Sequence, residues 1–140
     1  WFLRSATVEG RDILRSPMVV DGQDVSDIVI TFTDRPAIVS GLVTDAAGRA
    51  DGAAGVLAFP ADYQSWLENG SPPAVARAIA AAQTGEYTIS DLPPGDYLMA
   101  AVGLEMLEEW QPAMVKALAA QALRVTLANG TAARADLRRR

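Results

Sequence analysis

The sequence predicts a mainly β fold, a β-sandwich carrying one short α-helix, and three observations predict it. Short runs of alternating apolar and polar residues recur along the chain, as in "DIVITFTD" (27–34), "AIVSGLVTD" (37–45) and "GEYTIS" (85–90). Turn residues, mainly Gly, Pro and Asp, separate the runs at intervals of roughly 8 to 15 residues, the spacing of sandwich strands. Against these strands, "QPAMVKALAAQA" (111–122) has helical periodicity, with Pro112 at its start and Met114, Val115, Leu118 and Ala122 along one face. At 140 residues and 50% hydrophobic, the chain has apolar mass for one core, or for one domain plus part of another.

Residues 1–34 hold four β-like runs: "WFLRSATVE" (1–9), "RDILR" (11–15), "PMVV" (17–20) and "DIVITFTD" (27–34). "DGQDVSD" (21–27) is a turn between them. In the last run Ile28, Ile30 and Phe32 share one face and Val29, Thr31 and Thr33 the other, since successive strand side chains point to opposite sides. A second block opens at Arg35-Pro36, with Ala37, Val39, Gly41 and Val43 alternating against Ile38, Ser40, Leu42 and Thr44. It closes on "DAAGR" (45–49), with Gly48 at the αL position, and "GVLAFP" (55–60) is expected to return beside it as a hairpin.

"SPPAVARAIAAAQ" (71–83) carries two patterns. Ser71 as N-cap, proline in the first turn and an alanine-rich body lean towards helix, while Val75, Arg77 and Ile79 alternate as a strand would. "GEYTIS" then places Tyr87 and Ile89 on one side, and "DLPPG" (91–95) turns the chain sharply into "DYLMAAV" (96–102). Pro93 and Pro94 fix φ, Gly95 tolerates positive φ, and Asp91 and Asp96 can accept nearby backbone N–H groups. Beyond the corner, Tyr97, Met99 and Ala101 face one way and Leu98, Ala100 and Val102 the other. Last comes "LRVTLANGTAARADLRR" (123–139), where Asn129-Gly130 signals a type I′ hairpin between Val125 and Leu127 on one arm and Ala133, Ala135 and Leu137 on the other.

The chain has no cysteine, which removes disulfides and thiolate chemistry and leaves the redox compartment open. It also has no histidine, so serine-type triads, histidine-ligated zinc and imidazole acid–base catalysis lack their central residue. A net charge of −5 and a pI near 4.6 argue against a phosphate-binding surface. The closing Arg138, Arg139 and Arg140 read as a solvated tail and not as a nucleic-acid contact. No apolar run approaches the roughly 20 residues of a membrane span, so no membrane insertion is expected. Entering a strand pattern directly at Trp1, the chain reads as cut from a longer precursor.

Four stretches together resemble the carboxypeptidase regulatory-like domain: "VSGLVTDAAGRA" (39–50), "GVLAFPADYQSW" (55–66), "GEYTISDLPPGDYLMAAV" (85–102) and "RVTLANG" (124–130). The resemblance covers residues 35–140 and implies a prealbumin-like, seven-stranded Greek-key sandwich of an exported or cell-envelope bacterial protein, with no active site and no cofactor. Residues 1–34 would then be the end of a preceding similar domain, or an exchanged arm. Trp1, Phe2, Ile28, Ile30 and Phe32 are the candidate assembly residues, since an incomplete sandwich leaves strand edges and an apolar face without a partner. The expected partners are other copies of the chain or other domains of its parent.

Other candidates have plainer readings. Tyr63, Trp66 and Trp110 could form a stacking platform for sugar rings, with Tyr97 nearby; as core-capping aromatics they need no ligand. Asp21, Asp24 and Asp27 lack EF-hand spacing and read as turn caps. Glu105, Glu108 and Glu109 fall within one short polar loop, whereas glycoside hydrolysis needs carboxylates across a cleft. Lys116, the only lysine, falls in the predicted helix and extends to solvent. The function predicted is a non-catalytic structural or interaction module, with carbohydrate binding as the alternative.

Overall fold

Eleven strands and three short helices are present among residues 1–14, 16, 18–70, 75–109 and 111–140, the residues that the computed structural model describes. The chain is mainly β. The N-terminal part forms a three-stranded antiparallel sheet in the order β2-β1-β3, from Phe2–Val8 (β1), Arg11–Asp12 (β2) and Ile28–Thr33 (β3). Next come Ala37–Thr44 (β4), Ala54–Pro60 (β5), Ala76–Ile79 (β6), Glu86–Leu92 (β7), Gly95–Gly103 (β8), Leu123–Leu127 (β9), Ala132–Arg134 (β10) and Leu137–Arg138 (β11). One four-stranded sheet runs β6-β5-β8-β9; in the other, β4 has β7 on one side and β10, then β11, on the other. Tyr63–Glu68 (α1), Leu104–Glu108 (α2) and Met114–Ala119 (α3) are the helices.

The two four-stranded sheets pack face to face. Alternation selects which residues meet: Ala37, Val39 and Val43 of β4, with Tyr87 and Ile89 of β7, oppose Val56 and Ala58 of β5, Met99 of β8, and Val125 and Leu127 of β9. A second apolar cluster lies on the other side of β5 and β8, where Leu57, Phe59, Ala100 and Val102 meet Leu107 of α2 and Val115 and Leu118 of α3. All seven residues of β5 are therefore buried, which explains why "AGVLAFP" reads as a continuous apolar run. The predicted division of β8 holds, with Tyr97 and Met99 in the first cluster and Ala100 and Val102 in the second. At the corner, Asp91 and Gly95 have positive φ, and the Tyr97 hydroxyl donates to the Pro93 carbonyl at 2.7 Å, tying the turn to its outgoing strand.

Several expectations are corrected. "DAAGR" is a tight turn with Gly48 at φ +81°, but β4 and β5 do not pair as a hairpin: one bridge joins Thr44 to Ala50, and the strands enter different sheets. Asn129-Gly130 is likewise a turn without a hairpin. The Thr131 hydroxyl bonds the Ala128 carbonyl, and the chain crosses so that β9 pairs antiparallel with β8 while β10 runs parallel to β4. The helical leaning of the alanine-rich segment gives way to β6, whose pairing with β5 turns Ala76 and Ala78 towards the core; Ser71, Pro72 and Pro73 lie outside the described residues. Ladder bonds and burial outweigh alanine's preference of a fraction of a kilocalorie per residue.

Further differences are local. Of the described residues of "RDILR" only Arg11 and Asp12 are strand, and Met18–Val20 of "PMVV" have no regular structure. Among the described residues, three helices stand where one was expected. Asp96 accepts from the side chains of Arg124 and Thr126 on the neighbouring strand β9. The arginine tail is anchored, because Arg138 donates to the Ala46 carbonyl and Arg139 to the Asp51 carboxylate at 2.5 Å.

Candidate contact surface

The N-terminal sheet is built around a short-range signal. Glu9 and Gly10 both have positive φ (48° and 79°), as a two-residue hairpin turn requires, and they bring Arg11 and Asp12 back against Val8 and Thr7. β3 returns along the other side of β1, pairing Val8 with Ile28, Ala6 with Ile30 and Leu3 with Phe32, with a bulge between Leu3 and Ser5. Opposite residues in an antiparallel pair share a face. Val8, Ala6, Ile28, Ile30 and Phe32 therefore lie together.

That face is incompletely covered. Ala6 and Val8 on the central strand are buried, but Ile28, Ile30 and Phe32 are 49%, 55% and 54% exposed. Val29 on the opposite face is exposed as well, and so are Trp1, Met18, Val19, Val20 and Val25. Nine of the twelve large apolar side chains exposed among the described residues thus lie between positions 1 and 32, which concentrates apolar surface on one end of the chain. No charge interrupts β3; Asp27 precedes it and Asp34-Arg35 follow. Among the described residues, β3 has β1 on one side and no strand on the other.

Of the predicted assembly residues, Ile28, Ile30 and Phe32 come together on one face, Phe2 pairs with Thr33 and is half-buried, and Trp1 is exposed at the start of the same sheet. Sequence reasoning missed Leu3 and Leu14. They line a groove of about 290 Å³ against Pro60, Val75, Leu92 and Tyr97 of the main body. Leu14 lay in a run read as strand, and no period-2 or 3.6 pattern marked it. The exposed Val19, Val20 and Val25 were visible only as apolar residues in a turn-rich stretch.

The other candidates are scattered. Tyr63 sits on α1 with its ring edge-on to Phe59, the centroids 6.0 Å apart, and it packs against the second cluster. Trp66 on the same helix is half-buried, and its indole N–H is buried without a hydrogen-bond partner. Trp110 lies outside the described residues. Asp21, Asp24 and Asp27 are exposed, and no group of three acidic, His or Cys side chains gathers as a metal site among the described residues. Glu105 and Glu108 belong to helix α2, with Glu109 at its end, correcting the loop reading. Leu104, Met106 and Leu107 are the apolar spacing that marks that helix. Lys116 is exposed on α3.

The shifted acidities serve structure. The Leu42 backbone N–H, donating to Asp136 at 2.9 Å, holds that carboxyl below the ordinary range, and Arg134 adds to the effect. Backbone bonds from Arg49 and Ala47, with the Arg49 guanidinium, do the same for Asp45 at its turn. Burial pushes the Tyr87 phenol up, and the Asp136 charge pushes it further. No protein-family model matches the chain, and no curated protein matches it.

Proposed function

We propose that the chain is a non-catalytic β module that works by protein–protein contact, with the sheet β2-β1-β3 as its contact element. The observation that carries this reading is the clustering of exposed Ile28, Ile30 and Phe32 on an edge strand free of charge. Exposed apolar faces and open strand edges are the two features that drive β units into assemblies. The two facing four-stranded sheets, with the sharp proline-glycine corner between β7 and β8, support a carboxypeptidase regulatory-like sandwich over residues 35–140. On this reading β10 and β11, both parallel to β4, count as one bent strand of a seven-stranded sandwich. The parent protein on this reading is exported or anchored in a bacterial envelope.

The test is the mass of the full chain in solution by light scattering. Self-association at tens of micromolar is expected, and the double variant Ile30→Asp, Phe32→Asp should return it to monomer. A wild-type chain that stays monomeric across that range would end the proposal.

A further inference from the structure

We infer that residues 1–34 are the closing part of a second β unit built on the plan of residues 37–127, and that the cover missing from Ile28, Ile30 and Phe32 is a sheet of the β4–β7 kind joined ahead of β1. The inference rests on the contact reading above and names the partner. Three observations carry it.

The first is a repeated plan. β1 and β8 each lead into a 19-residue connection, residues 9–27 and 104–122, and each is followed by a strand that returns antiparallel alongside it, β3 and β9. The returning strands share a pattern, Ile30-Thr31-Phe32 in one and Val125-Thr126-Leu127 in the other. In both, the outer two residues of the triplet face one way.

The second is the fate of that face. In β8–β9, Tyr97, Met99, Val125 and Leu127 are at most 9% exposed, because β4 and β7 lie over them. In β1–β3 the central-strand residues of the corresponding face, Ala6 and Val8, are buried too, but its β3 residues Ile28, Ile30 and Phe32 are about half exposed. The edge differs too. β5 pairs with β8 from Tyr97 to Gly103, whereas β2 reaches only Thr7 and Val8 of β1. The β3 side of the face and most of the free β1 edge lack what β4–β7 supply in the complete unit.

The third is chain order, which decides the source. β4–β7 stand immediately before β8, connected through the Leu92–Gly95 corner, so the repeated plan puts the missing sheet immediately before β1. A second copy has no such sheet to offer: its Val39 and Val43 are already fully buried against β5 and β8.

The experiment duplicates residues 37–94 directly ahead of Trp1 of the full chain. The extended protein should be monomeric, bind no apolar-surface dye, and exchange the amides of Ile28–Thr33 at least about a hundredfold more slowly than the unextended chain. Adding Ile30→Asp and Phe32→Asp to it should remove that protection while leaving Leu123–Leu127 protected. If the unextended chain self-associates but the extension changes neither its mass nor the exchange at Ile28–Thr33, the repeat inference falls and the contact reading stands. A monomeric, dye-free unextended chain would instead remove the contact reading beneath it.

Discussion

The hydroxyl of Tyr87 donates a 2.5 Å hydrogen bond to the main-chain carbonyl of Ala135, 48 residues away, and that carbonyl also lies where a Cβ on Gly41 would stand. Three segments meet at this point: β7 supplies the phenol, β4 the glycine, and the link between β10 and β11 the carbonyl. Replacing Tyr87 by Phe leaves a buried acceptor unpaired, a loss of about 1 to 3 kcal/mol. Chemical denaturation at pH 7 measures it, and a Tyr87→Phe curve superimposable on wild type would refute the role assigned to the bond.

Gly41 and Gly48 provide a paired test of close approach against backbone freedom. A Cβ at Gly41 would collide with the Ala135 carbonyl, so Gly41→Ala must push β4 and the β10–β11 link apart; the expected loss is about 3 kcal/mol or more, or failure to fold. Gly48 has open space around it and only a positive φ to satisfy, so Gly48→Ala should cost about 1 kcal/mol. The reverse ranking in thermal melts would contradict the packing described.

Asp51 and Arg139 tie the chain's end to the turn before β5. The Asp51 side chain is 5% exposed, and its carboxylate accepts from both Arg139 and the Ala53 N–H. Arg139→Ala leaves that carboxylate buried with its main cation gone and should destabilise by about 1 to 3 kcal/mol. The exposed Arg49–Asp45 pair makes a useful control, since exposed pairs contribute about 0 to 1 kcal/mol. Equal losses for Arg139→Ala and Arg49→Ala, measured in urea, would show that burial of Asp51 is immaterial.

The pH dependence has two limbs with opposite signs. Asp136 has a lowered pKa in the folded chain, so its contribution is present above the ordinary carboxylate range and disappears as the pH falls through the folded value. Wild type and Asp136→Asn should therefore differ near pH 7 and converge in acid. Tyr87 has a raised pKa, so its contribution is present below the unfolded value near 10 and declines as the pH climbs past it. Tyr87→Phe should flatten that alkaline limb; melting temperatures from pH 2 to 11 would reveal a failure of either sign.

Period-2 alternation identified the buried faces of β4, β7, β8 and β9 because burial is decided residue by residue along a strand. It could not identify partners. The turns at Asp45–Arg49 and Asn129–Gly130 were readable from local chemistry, yet in each case the strands that follow diverge into different sheets, a choice made by packing across the core. β6 illustrates the same limit, since alanines that favour a helix in isolation become the inward row of an edge strand once β5 offers its ladder. The exposed Ile28, Ile30 and Phe32 were legible as a face without a partner. Leu3 and Leu14 were not, because their groove depends on Leu92 and Tyr97, far away in the chain.

The parallel neighbours β4 and β10–β11 carry one more implication. β4 begins the main body and β11 ends it, and they are stitched by bonds from Ile38 to Thr131, Ala135 to Ser40, Leu42 to Asp136 and Arg139 to Thr44. A force pulling the two ends apart draws these strands past each other along their length, so the rungs share the load and do not open one at a time. Stretched between an anchor and a neighbour, such a module should behave as a stiff link, yielding in a single high-force step when one molecule is pulled from Arg35 and Arg140.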